Sequence, residues 1–188
     1  MINLTDYWEK GISYPQYLLN FKSELDQGPV PRNQHNYNYV KLNWSRTNRL
    51  TNQAGLVLDF DSIDLKDFRG ICITEHWCGD AAQNLPFINL MCRASGIDLR
   101  ILYRDENPEL MNAYLTNGSK SIPIVIIFDE NGDEIFHWGP RPVPAQNMLK
   151  EYKLGSLSKD EFNIQVQKWY NTDEGKTLQK EWYEMMKR

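Results

Sequence analysis

The chain has 188 residues, with 21 Lys and Arg against 25 Asp and Glu and a net charge of −4; no basic cluster interleaves with its aromatics, so nucleic acid is not an expected partner. No stretch reaches the roughly 20 apolar residues of a membrane-spanning helix, and the opening MINLTDYWEKG carries acids where a signal peptide needs an apolar run. Six Trp and ten Tyr supply large apolar surfaces, which argues for a packed core and against disorder.

The spacing of apolar residues predicts helices over Thr5 to Lys10 and Ser13 to Asp26, each opened by a hydroxyl residue suited to capping. In the second, Tyr14, Tyr17, Leu18, Phe21 and Leu25 recur at steps of three and four and define one buried face. The segment QGPVPR at 27–32 breaks it. A third helix is predicted from Gln34 to Leu50 on Tyr37, Val40, Trp44 and Thr47.

Leu56 to Phe60 is a predicted strand, and a polar connection leads to a central strand at Gly70 to Glu75. A helix from Asp80 to Ser95 ends at Gly96. Ile97 to Arg104 follows as a strand parallel to the central one, because a helix joins them as a right-handed crossover. A short helix at Glu109 to Leu115 ends at Asn117 and Gly118, and Ile124 to Phe128 is the near-continuous apolar run of a strand covered on both faces. Asn131 and Gly132 signal a hairpin turn, from which Glu134 to Trp138 returns as an antiparallel edge strand. Helices are predicted at Pro144 to Tyr152, Lys159 to Tyr170 and Asp173 to Lys187. The expected fold class is α/β: a central mixed sheet flanked by helices, with further helices at both ends.

One cysteine, Cys78, falls at the junction between the central strand and its helix. The N–H groups at a helix N-terminus favour a thiolate over a thiol, and the thiolate is the nucleophile. Cys72 lies several extended residues up the strand, and Cys92 lies fourteen residues along the helix. That is about 21 Å at 1.5 Å per residue, beyond the ~7 Å limit for a disulfide. Three cysteines therefore give no disulfide framework, and a cytoplasmic, reducing setting is expected.

The tetrad Trp77, Cys78, Gly79, Asp80 resembles the active site of the thioredoxin family, Trp-Cys-Gly-Pro-Cys between a central strand and a long helix. Ser121, Ile122 and Pro123 ahead of an apolar strand resemble that family's cis-proline segment, and Gly139 falls where thioredoxins carry a glycine facing the active cysteine. The likeness spans roughly Gly70 to Tyr152. It implies a thioredoxin-like domain over 56–155, with an N-terminal helical extension over 1–55 and C-terminal helices over 156–188 in the same compact unit. It also implies that Cys78 is the catalytic thiol and that Trp77, Gly79, Ile122, Pro123 and Gly139 line a substrate groove. Two positions depart from the family pattern. Ala81 stands where the second cysteine of C-x-x-C belongs, and Cys72 stands where many thioredoxins bury an acid.

A two-thiol cycle cannot run locally. The first reading is therefore a monothiol oxidoreductase: the Cys78 thiolate exchanges with a protein or small-molecule disulfide, and an external thiol reductant completes the reaction. The alternative is a thioredoxin-fold module that has lost the redox cycle and binds a peptide or protein. His76 and Asp80 are expected to tune the thiol, His76 as a cationic neighbour and Asp80 as an opposing charge that also suits a helix cap. Arg141, between Pro140 and Pro142, is expected at the groove rim, where its planar fork suits a carboxylate-bearing partner. Cys72, His76 and Cys78 match no zinc spacing. Asp129, Asn131 and Asp133 lack the Gly and Glu positions of a calcium loop. No metal and no cofactor are expected.

Overall fold

Residues Arg69–Thr74 (β1), Asp98–Tyr103 (β2), Ile124–Phe128 (β3) and Glu134–Trp138 (β4) form one sheet in the order β2-β1-β3-β4. β1 is parallel to β2 and antiparallel to β3, with Cys72 opposite both Ile101 and Val125. β4 pairs antiparallel with β3 through a slip between Ile127 and Phe128. The structure is a computed structural model and describes residues 2–31 and 33–187; Met1, Arg32 and Arg188 lie outside them, Arg32 being the last residue of the predicted 27–32 break.

Side chains alternate along a strand, so β3 feeds two hydrophobic clusters. Val125 and Ile127 join Phe21, Met91 and Trp182 on one face; Ile124, Ile126 and Phe128 join Leu4, Leu110 and Met111 on the other. All five β3 residues are at most 2% exposed, and burial of each such side chain is worth about 1.5–3 kcal/mol. The first face is covered from Tyr14–Gln27 (α2), Tyr37–Gln53 (α3), Gly79–Ser95 (α4) and Lys176–Met186 (α8), the second from Leu4–Lys10 (α1) and Pro108–Ala113 (α5). Val143–Lys153 (α6) and Lys159–Asp173 (α7) pair through stacked Tyr152 and Phe162 rings.

Several predicted boundaries move, each for a local reason. The predicted strand at Leu56 to Phe60 is irregular chain. Its neighbouring backbone groups bond to a side chain, with the Val57 N–H donating to Gln179 Oε1 at 2.7 Å and Gln179 Nε2 donating to the Gly55 carbonyl at 3.1 Å. The β2 edge is instead occupied by Ile12, which exchanges two backbone hydrogen bonds with Ile101. The first helix is capped by Asn3, whose Oδ1 accepts from the Thr5 and Asp6 N–H groups; Ser13 caps α2 as expected. α3 starts at Tyr37 because Asn33 binds the Val30 N–H and Glu24, holding a turn that competes with the helix. The last predicted helix begins only at Lys176, after a left-handed Glu174–Gly175 turn. A Cβ at Gly175 would meet the Phe87 ring at 2.8 Å, so only glycine lets this turn approach α4 so closely.

Candidate thiol site

Cys78 is the N-cap of α4. Its Sγ accepts the Ala81 N–H at 3.4 Å and donates to the Ile122 carbonyl at 3.2 Å. The Ile122–Pro123 bond is cis, as is Gly139–Pro140. Gly139 abuts this corner with φ +134°, where a Cβ would lie 2.2 Å from the Pro123 carbonyl oxygen. Trp77 is half-buried against both core clusters, with the Arg104 guanidinium 4.7 Å from its ring centroid. A Cβ at Gly79 would sit 3.5 Å from Arg46 Nη1. Cys78, Gly79, Ile122, Pro123 and Gly139 thus come together at one end of the sheet.

Magnitudes decide the state of the thiol. A helix terminus favours an anion by at most about 2 kcal/mol, roughly 1.5 pKa units, whereas full burial of an ionisable group opposes its charge by up to about 3–5 units. Cys78 is 5% exposed, and burial, followed by the charge of Asp80, pushes its pKa up to about 12 against the opposing Ala81 N–H and Arg141. Burial thus outweighs the helix terminus on which the expected thiolate rested. Cys72 and Cys92 are fully buried free thiols, each raised above the ordinary range by burial.

Three expected roles change in the folded chain. Asp80 does not cap α4: its Oδ2 lies 2.6 Å from Arg141 Nη2 and its Oδ1 accepts the Tyr170 hydroxyl at 2.9 Å. Burial raises the Asp80 pKa, and Arg141 and Tyr170 oppose that rise. Arg141 accordingly has an intramolecular carboxylate, with its side chain 17% exposed, and does not stand free at a groove rim. His76 turns away from the sulfur. Its Nδ1 lies 2.6 Å from Glu24 Oε2, its Nε2 lies 3.2 Å from the Tyr103 hydroxyl, and its ring stacks on Phe21 at 4.2 Å. A histidine held by a carboxylate, stacked on Phe21 and flanked by Tyr17 and Tyr103 anchors α2 to the loop before Cys78, and the Asn43 side chain donates to its carbonyl from α3.

Sequence reasoning missed Tyr170, Asn84 and Asn43. Asn84 stands four residues after Asp80, on the same helical face, and its Nδ2 donates to the Asp80 carbonyl at 2.8 Å and to Tyr170 Oη at 3.0 Å; that spacing was visible. Nothing local connects Tyr170, ninety positions downstream, to Asp80. Among the described residues no group of three or more His, Cys, Asp or Glu side chains comes together as a metal cluster.

Two solved structures share the architecture. The crystal structure of an HIV epitope scaffold is 16% identical, with 92% of each chain covered and a TM-score of 0.56. That of a Pseudomonas aeruginosa protein of unknown function is 17% identical, with 93% of this chain and 99% of that chain covered and a TM-score of 0.54. At such identities the likeness is one of fold. No curated protein matches the chain. A family model described as thioredoxin matches residues 31–153, the segment holding the four strands, the Trp77-Cys78-Gly79 turn and the cis Ile122–Pro123 corner, and the chain therefore belongs to the thioredoxin family.

Proposed function

We propose that this thioredoxin-fold protein binds an extended polypeptide segment against the Ile122–Pro123 corner and holds Cys78 as an un-ionised thiol, without turning over disulfides on its own. The observation that carries this reading is the buried Cys78 sulfur with Asp80 beside it and Ala81 where a resolving thiol would stand. With a pKa of about 12 in place of the free-cysteine value near 8.5, the thiolate fraction at neutral pH falls by roughly three orders of magnitude. Binding needs no thiolate. The Ile122 N–H has no hydrogen-bond partner among the described residues, and its carbonyl receives only the Cys78 S–H. An extended segment could pair there as an added strand. Such a mode needs a pocket for a side chain, and a cavity of about 470 Å³ opens beside Gly139 and Ile124, walled by Tyr114, Glu134 and His137.

The second reading is monothiol exchange, favoured by the Ala81 N–H directed at Sγ from the head of α4. There the Cys78 thiolate would attack a substrate disulfide, forming one mixed disulfide and releasing one thiolate, and an external thiol would displace Cys78 in turn. In either reading the three unpaired cysteines suit a cytoplasmic, reducing setting.

Selection of a phage-displayed seven-residue random peptide library on the wild-type chain and on Cys78→Ser separates the two. Binding predicts the same cysteine-free sequences on both proteins. Enrichment of cysteine-bearing peptides on the wild type alone would overturn it in favour of exchange.

A further inference from the structure

The N-terminus of α4 carries a chain of polar contacts that reaches outside the family-matched segment. Asn84 Nδ2 donates to Tyr170 Oη at 3.0 Å, Tyr170 donates to Asp80 Oδ1 at 2.9 Å, and Arg141 Nη2 holds Asp80 Oδ2 at 2.6 Å. A hydroxyl has one hydrogen. Since the Asn84 amide already occupies an acceptor position on Tyr170, that hydrogen is directed to Asp80. Asn84 is 1% and Tyr170 8% exposed, so water does not substitute easily for any member of the chain. Each Asp80 oxygen thus has its own donor, one from α6's leading loop and one from α7.

We infer that Tyr170 is a positioning residue of the thiol site: it fixes the Asp80 carboxylate on the α7 side of the α4 N-terminus, so that Cys78 keeps the Ala81 N–H and the helix terminus to itself. Asp80 lies in the first turn of α4, where a carboxylate without its second donor is drawn to the same unpaired N–H groups. Tyr170 opposes that rotation by holding Oδ1. A C-terminal helix that the family match does not include therefore decides how much of the Asp80 charge the sulfur feels. The inference rests on Cys78 being the thiol of the site, as proposed above, but it does not require peptide binding or disulfide exchange.

The test is a double-mutant cycle read by chemistry. Iodoacetamide alkylation rates of Cys78, resolved from Cys72 and Cys92 by peptide mass mapping, are measured at fixed pH between 8 and 9.5 on the wild type, Tyr170→Phe, Asp80→Asn and the double variant. Below the thiol pKa the rate follows the thiolate fraction, so a shift of half a pKa unit is about threefold in rate. Tyr170→Phe is expected to slow alkylation at least about threefold in the wild-type background and to leave it unchanged in the Asp80→Asn background, which is the non-additivity of residues acting through one another. Equal slowing in both backgrounds, acceleration through a loosened α7, or a fall in melting temperature with no change in rate would each overturn the inference. Because iodoacetamide is neither a peptide nor a disulfide, failure of the proposed function would leave this result readable.

Discussion

Arg141→Met removes the cation from Asp80 while keeping much of the side chain's apolar stem. The pair is partly buried, with side chains 17% and 14% exposed and 2.6 Å between Nη2 and Oδ2. Removing one partner of a buried pair costs about 3–5 kcal/mol. Residual solvent access and the remaining Tyr170 donor bring the expectation down to about 2 kcal/mol at neutral pH. The cost depends on pH with a definite sign. Burial raises the folded-state pKa of Asp80 above its ordinary value of 3.8, so the protonated form is favoured in the native protein. Its contribution to stability is full below that ordinary value and is lost as pH rises through the folded value. Without Arg141 the folded value climbs further and the loss extends to higher pH. Urea unfolding of the wild type and the variant should give a stability gap that is small near pH 4 and grows to about 2 kcal/mol near pH 7, equivalent to roughly 1.5 pKa units. A gap that is the same at both pH values, or absent at neutral pH, would refute the role assigned to the Asp80 charge.

Gly139→Ala places a Cβ 2.2 Å from the Pro123 carbonyl at φ +134°; backbone strain alone costs about 1–3 kcal/mol, and a denaturation midpoint equal to wild type would show that the corner is looser than described. His76→Phe retains the ring against Phe21 but removes the 2.6 Å contact between His76 Nδ1 and Glu24; stability should fall by about 1–3 kcal/mol, while the Cys78 alkylation rate stays within twofold of wild type, a larger change restoring His76 as a tuning group. Ala81→Cys should form a disulfide with Cys78 under mild oxidation and leave only Cys72 and Cys92 free, since the Ala81 N–H already reaches Sγ at 3.4 Å and one helical turn lies within the range of Cα separations that disulfides span; persistence of all the thiols by mass after oxidation would count against the placement of the α4 start.

The sheet was legible because its signals are local. Ile124–Phe128 and Glu134–Trp138 have the boundaries that apolar run, hairpin turn and alternation predict. The Leu56–Phe60 segment misled because a short apolar run says nothing about where backbone hydrogen bonds go: the Val57 N–H and the neighbouring Gly55 carbonyl bond to Gln179 of α8. At the site, Cys78, Ile122, Pro123 and Gly139 were found through motif order, whereas the partners of Asp80, Arg141 and His76 were not. Each of those partners comes from an element distant in sequence: Tyr170 from α7, Asp80 from the head of α4 and Arg141 from the loop after β4, and Glu24 from α2. The same long-range packing that buries Cys78 also reversed the expected acidity of its thiol. A motif specifies which residues meet the helix terminus, but not how much water reaches them.

The central claim is that Cys78 is held as a protonated, buried thiol. It is tested most directly by the pH dependence of iodoacetamide alkylation at Cys78, compared with the same peptide in the urea-unfolded chain. The folded protein should react at pH 7.5 more than about a hundredfold more slowly than the unfolded chain, with a rate still rising beyond the free-cysteine pKa of about 8.5 toward the value near 12. A folded-state rate equal to or above that of the unfolded chain, levelling off below about pH 8.5, would contradict it and make Cys78 an activated nucleophile.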